Sequence, residues 1–336
     1  MKRFIFSFCL IFTVLASYAQ DVHFTQYSFS PLHVNPANAG LFKGSYRIGG
    51  IFRDQAFSIS SSGAYKTINF YIDATFPWKI RGNDWVGFGI NFIQDRSGEI
   101  SWGSGGFIAQ AAYHLSMNTR TTISLGGQYG NVSYNIKNAN KALFESTLIG
   151  IPGNPSISLQ SSAKYTDITV GANLLSSIGT AKHSFEIGLN AARINQPTLT
   201  QLSTGGGQKL ATLLTANLGL VYHLNQKLDL RNNIWLRNLK SNSEFIPQSV
   251  ASYLFNVEKG IRLNAGLGYR IGDALQVMLG ADIKNLSLQL AIDQTLSSLK
   301  EVQSPSGLGG LELAVKYTGS VVKKPNPKPK VFCPRF

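Results

Sequence analysis

The residues able to do chemistry are few and scattered. Five histidines stand at positions 23, 33, 114, 183 and 223, with none of the close pairings that metal ligands need. His114 and Ser116 would share one face of a strand, an arrangement in which a base could activate a hydroxyl. Both flank an expected turn and serine is abundant, so coincidence is the simpler account. Gly205-Gly206-Gly207 lacks the Lys-Ser/Thr and the following helix of a phosphate loop, and no calcium or zinc pattern occurs. The residues thus indicate a non-enzymatic protein with no cofactor and no metal.

Any such side chains would be positioned by strands. Charged residues make up only 14% of 336 positions, and mean hydropathy is near zero. Past residue 20 no apolar run approaches the roughly 20 residues of a transmembrane helix, whereas strands that alternate apolar and polar positions average to neutrality. Ile261, Leu263, Ala265, Leu267 and Tyr269 share one face, against Arg262, Asn264, Gly266, Gly268 and Arg270 on the other. The same split separates Leu311, Leu313, Val315 and Tyr317 from Glu312 and Lys316, and Phe185, Ile187 and Leu189 from Glu186 and Asn190. Charges keep to one phase, as they must if the other faces lipid, where an Arg or Lys at mid-bilayer costs roughly 2–4 kcal/mol.

Fourteen such segments begin near 45, 64, 84, 104, 119, 163, 181, 211, 227, 247, 260, 274, 286 and 309. The fold class is therefore all-β, a closed transmembrane antiparallel β-barrel. Long connections at about 138–162, 195–210 and 296–308 all have odd rank, while most even-ranked ones are tight. Long loops outside and short turns inside is the bacterial outer-membrane pattern, with both ends of the barrel in the periplasm. Tyr46, Phe76, Trp78, Trp85, Tyr113, Tyr222, Tyr269 and Tyr317 are candidates for the interfacial aromatic girdles.

The barrel spans 45–319, with other segments at either end. Residues 1–19 read as a signal peptide, with Lys2 and Arg3 before an apolar stretch and Ser17-Tyr18-Ala19 at the cleavage site. Its removal takes Cys9 and leaves Cys333 without an intramolecular partner. Residues 20–44 form an entry segment in which Pro31 and Pro36 disfavour helix just before them, Asn35 and Asn38 can close Asx turns, and Gly40 can take positive φ. An ordered, extended run is expected there, against the periplasmic mouth or inside the lumen. Residues 320–336 form a basic Pro-rich periplasmic tail that carries a good part of the +14 charge. Export points that charge away from nucleic acid and toward outer-membrane lipid or an acidic partner.

The string Phe24-Thr25-Gln26-Tyr27-Ser28-Phe29-Ser30-Pro31-Leu32, then Val34-Asn35-Pro36-Ala37-Asn38-Ala39-Gly40, resembles the N-terminal hallmark of the PorP/SprF family of the type IX secretion system. Tyr46-Arg47 and Phe52-Arg53-Asp54-Gln55 are similar to that family's first strand, with Ala56 where an aromatic is usual. Leu290-Ala291-Ile292-Asp293 and Gly309-Gly310-Leu311-Glu312-Leu313 are similar to its closing strands, with Ala-Ile-Asp in place of Ser-Tyr-Asp. The resemblance implies an outer-membrane component that supports secretion or surface attachment of a cargo protein with a C-terminal sorting domain, such as a gliding adhesin. It also implies contact with the periplasmic ring proteins of that system. The residues expected to meet partners are Phe24, Gln26, Tyr27, Asn35, Pro36 and Gly40 in the family motif, and Lys323, Lys324, Lys328, Lys330 and Phe336 in the tail. The Asn-Pro-Ala is also similar to that of outer-membrane fatty-acid transporters, fourteen-stranded barrels whose N-terminus plugs the pore. Transport of small hydrophobic molecules is the alternative that this likeness implies.

Overall fold

Strand alternation is realised in full in the computed structural model, which describes residues 22–55, 65–77, 83–98, 101–136, 162–179, 183–199, 208–240, 242–297 and 308–321. The expected signal peptide, Trp78, Ala56, Gly205 to Gly207 and the C-terminal residues with Lys323, Lys324, Lys328, Lys330, Cys333 and Phe336 lie outside the described residues. The strands are β1 (Tyr46–Asp54), β2 (Lys66–Pro77), β3 (Trp85–Arg96), β4 (Trp102–Ser116), β5 (Thr121–Ile136), β6 (Ser162–Ile178) and β7 (His183–Ala192). After the two-residue strands β8 (Thr198–Leu199) and β9 (Gln208–Lys209) come β10 (Leu213–His223), β11 (Leu228–Leu239), β12 (Asn242–Asn256), β13 (Ile261–Arg270), β14 (Ala274–Ile283), β15 (Leu286–Thr295) and β16 (Leu308–Gly319). All but β8 and β9 join one antiparallel sheet, which closes where β1 pairs β16 from Tyr46 opposite Gly319 to Asp54 opposite Leu311. β8 and β9 pair with each other in the connection between β7 and β10.

Closure leaves no free sheet edge, the condition for a sheet in lipid. Phe70, Phe88, Ile90, Leu125, Leu189, Leu267, Leu279 and Leu313 point out and are exposed, forming the apolar belt. Arg262, Arg270, Asp282, Asp293, Glu312 and Lys316 occupy the opposite phase and face the lumen. Leu279, at the middle of β14, is 58% exposed. Leu279→Arg is expected to destabilise the inserted barrel by about 2–4 kcal/mol, read as the loss of folded yield in urea-titrated refolding into vesicles.

Two sequence expectations need correction here. β12 starts at Asn242, five residues ahead of the expected 247, and carries Pro247 in its interior. Proline lacks an N–H but is tolerated inside this strand, opposite Ile234. Trp85 is not a girdle residue: its ring turns inward and stacks on His114 with centroids 4.8 Å apart. Tyr46 and Tyr317, in contrast, meet on the outer wall at 6.2 Å.

The hydrophobic core lies where residues 22–40 fill the lumen. Phe24 and Phe29 pack on Ile51, Ile93, Ile108 and Ala314, while Tyr27 and Val34 pack on Trp235 and Ile246. Leu32 and Ala39 pack on Tyr71 and Ala112. Each cluster joins plug to wall, and each large side chain buried this way contributes roughly 1.5–3 kcal/mol.

Candidate functional site

The plug is folded, not extended as the prolines suggested. Three short turns follow one another: a 3₁₀ turn at Tyr27–Phe29, an α-turn at Pro31–Val34 and a 3₁₀ turn at Pro36–Asn38. Pro31 and Pro36 each occupy a first helical position, where the missing N–H is no loss. The restriction that proline imposes falls on the residue before it, and Asn35 is indeed extended at φ −159°. The Asn35 side chain accepts from Ala37 N at 2.9 Å, closing the expected Asx turn. Gly40 takes φ +74° and leads into β1.

Three clamps hold the plug. In the first, Arg53 of β1 is buried with Asp293 of β15 at 3.0 Å and with Glu312 of β16. One Glu312 carboxylate oxygen accepts from Thr25 N at 2.6 Å and the other from Gln26 N at 2.8 Å. The Thr25 hydroxyl accepts from Arg53 at 3.0 Å and donates to Asp293 at 2.6 Å. Arg270 adds a second guanidinium to Asp293 at 3.3 Å. Gln248 donates to Thr25 O at 2.7 Å, and the Gln26 amide donates to Glu312 O at 3.1 Å. Gln55 completes the ring when its amide oxygen faces the Arg53 guanidinium, accepting at 2.9 and 3.1 Å.

The second clamp stands where the chain passes from plug to barrel. Arg47 grips Asp73 in bidentate fashion at 2.9 and 2.7 Å and also donates to Asn38 O at 3.0 Å. Gly40 N donates to the same Asp73 carboxylate at 2.8 Å, and Trp85 Nε1 donates to Gly40 O at 3.0 Å.

The third clamp is made of missing side chains. Gly87, Ala112, Gly126 and Gly171 are paired in sequence across β3, β4, β5 and β6, so they form one straight row on the inner wall. The turn from Asn35 to Ala39 lies on this row. A Cβ on Gly87 would stand 1.8 Å from Ala39 O, one on Gly126 2.4 Å from Ala37 N, and one on Gly171 2.0 Å from Asn35 Oδ1. Asn35 Nδ2 then donates to Ala172 O and Leu189 O at 3.0 and 3.1 Å, and Asn190 donates to Val34 O at 2.9 Å.

His114 belongs to this cradle. Its Nε2 lies 2.8 Å from Ala39 O and its Nδ1 2.7 Å from Ser124 Oγ. A carbonyl only accepts, so Nε2 carries the proton and the Ser124 hydroxyl donates to Nδ1. The suspected pairing of His114 with Ser116 is not what the fold makes; Ser116 N instead donates to Asp84 at 2.9 Å. His114 and Ser124 are both buried under the plug. His114→Ala should leave the hydroxyl and the Ala39 carbonyl unpaired and lower stability by about 1–3 kcal/mol, measured as the temperature at which the barrel loses its fast electrophoretic mobility.

Of the motif residues expected to meet partners, Phe24, Gln26, Tyr27, Asn35, Pro36 and Gly40 all touch the barrel wall in this conformation. Tyr27 lies on Trp235 with centroids 4.8 Å apart, and burial, with Glu186 nearby, pushes its phenol pKa up, so it stays protonated. Arg53, Asp293 and Glu312 were legible as parts of a resemblance but not as a site. Arg47 was legible in the same way, whereas Asp73 and the row of small residues carried no signal beyond strand phase.

Cavities remain on either side of the plug. One of about 200 Å³ lies toward the end where β1 begins, between Tyr27, Pro31 and Leu41 of the plug and Glu186, Asn217 and Asn233 of the wall. Another of about 80 Å³ lies toward the long connections, between Val22 and His33 and a wall that includes Asn91, Trp235 and Arg237.

A family model described as "Type IX secretion system membrane protein PorP/SprF" matches residues 16–317. No match to a curated protein was found. Among solved structures, the toluene transporter TbuX of Ralstonia pickettii is similar at 11% identity and a TM-score of 0.51, over 86% of this chain and 92% of that one. The monoaromatic hydrocarbon channel CymD has 11% identity and a TM-score of 0.51 over 87% and 92%. A TodX deltaS2S3 mutant, also a monoaromatic hydrocarbon channel, has 12% identity and 0.52 over 86% and 94%. At such identities the likeness concerns the fold.

Proposed function

Since the chain belongs to the PorP/SprF family of type IX secretion membrane proteins and is an outer-membrane barrel, we propose that it works as a plugged, non-enzymatic component supporting secretion or surface attachment of a cargo protein with a C-terminal sorting domain. Gliding adhesins are one such cargo, and the periplasmic ring proteins of the system are the expected partners on the inner side. The observation that carries this reading is the triple clamp. A segment tied to the wall by a buried ion cluster, a bidentate Arg47–Asp73 pair and a row of close contacts at small residues would obstruct passage of a polypeptide. Such a barrel acts on cargo through its rims and loops, as a docking body and not as a conduit. The lysine-rich tail would reach periplasmic partners, and the long connections would face the cargo outside.

The test is deletion of the encoding gene, with secretion and surface display of sorting-domain proteins followed by fractionation and immunolabelling. Both should fail and return on complementation; unchanged display would reject the proposal.

A second reading has one observation in its favour. An apolar hollow lined by Leu125, Val170, Leu189, Leu214, Leu236 and Phe245 indents the outer wall, and the similar solved barrels are named as hydrocarbon channels. Loss of growth on a hydrophobic nutrient in the deletion strain, with secretion intact, would favour transport of small hydrophobic molecules.

A further inference from the structure

A different hollow marks the outer wall at its long-loop end. It measures about 840 Å³ and spans β3, β4, β5 and β6. Rows of paired, outward-pointing residues build it. The row nearest the apolar belt is Phe92, Phe107, Asn131 and Thr166, with the two rings 4.9 Å apart. The next is Gln94, Gly105, Ser133 and Lys164. At the rim, Arg96 and Asn135 flank Gly103.

The floor is bare backbone, because Gly103 and Gly105 bring no side chain. A Cβ on Gly103 would stand 2.2 Å from Asp95 O, so that position admits nothing larger. The walls are graded from apolar to cationic. Phe107, 67% exposed, faces the belt side, and Arg96 and Lys164 are exposed at the far side. Among the described residues no carboxylate pairs with either cation. Asp95 lines the hollow but accepts from Thr67 Oγ1 at 2.6 Å, and Lys66, opposite Arg96, has Asp54 at 4.0 Å.

We propose that this hollow binds the phosphorylated headgroup of an outer-leaflet glycolipid, lipid A. The phosphate lies between Arg96 and Lys164, Gln94 and Asn135 donate to its oxygens, and an acyl chain runs down over Phe107 and Phe92 into the belt. Several physical points converge on that occupant. The hollow sits where the wall changes from apolar to polar, at the depth of a headgroup. Among the described residues its two cations have no carboxylate partner, and a phosphate supplies that counter-charge. A glycine floor lets a bulky headgroup approach the wall closely. The long connections put this rim in the outer leaflet, where the anionic lipid is the phosphorylated glycolipid.

The experiment uses the full barrel purified in detergent and native mass spectrometry with lipid A, dephosphorylated lipid A and phosphatidylglycerol. Lipid A should bind wild type best, and Arg96→Gln with Lys164→Gln should weaken it roughly thirtyfold, from the typical contribution of each basic residue near an anionic surface. Ser133→Trp, which fills the hollow while keeping both cations in the sequence, should also abolish retention, with heat-modifiable mobility checking that each variant is folded. Equal binding of the dephosphorylated lipid to wild type would overturn the proposal whether or not any variant folds. Equal binding of phosphatidylglycerol, or a double variant that retains lipid A fully, would overturn it as well.

Discussion

Arg53→Ala should lower the stability of the barrel by about 3–5 kcal/mol, because it leaves Glu312 and Asp293 as buried carboxylates with their main counter-charge removed. In thermal scans of the detergent-solubilised protein this corresponds to a midpoint lower by roughly 5–15 °C. The effect should exceed that of an ordinary ion-pair loss, since Arg53 sits where three parts of the chain converge. The first strand supplies the guanidinium, the last two supply the carboxylates, and the plug threads Thr25 and Gln26 between them. Pairing Arg53→Met with Glu312→Leu should recover part of the loss by removing the isolated charge. Recovery will be incomplete because Thr25 N and Gln26 N then lose their acceptor. A single variant that melts with wild type would mean that water already screens the cluster.

Gly126→Leu should displace the plug. The new Cβ would lie 2.4 Å from Ala37 N and 2.5 Å from the Pro36 carbonyl carbon, both of them backbone atoms that cannot swing away. Overpacking of this kind costs typically about 1–3 kcal/mol or more. Charged to the plugged state alone, that favours the unplugged state by roughly 5- to 150-fold. Planar-bilayer recordings should therefore turn from a quiet baseline to discrete openings, and residues 24–40 should become open to protease. Gly127→Leu is the matched control: it adds the same side chain one residue on, on the lipid face, where nothing lies within 4 Å. Conductance that rises equally in both variants, or in neither, would show that the row of small residues does not seat the plug.

The sequence by itself determined the wall. Two-residue alternation is a local property, so phase alone told lipid face from lumen. It failed at the start of β12 and at the prolines of the plug, whose three- and four-residue turns are too short for a periodic trace. It failed again for Trp85, whose aromatic character said nothing of the side it would face.

Only the tertiary structure decided what the wall encloses. Thr25 meets Glu312 across 287 residues of separation because β1 closes on β16. Gly87, Ala112, Gly126 and Gly171 become a row only once four strands are in register. Such contacts depend on closure and register, which bring together residues that no window of the chain contains. The motif at residues 24–40 was therefore visible as a pattern, while its fit into the barrel required the whole sheet to exist first.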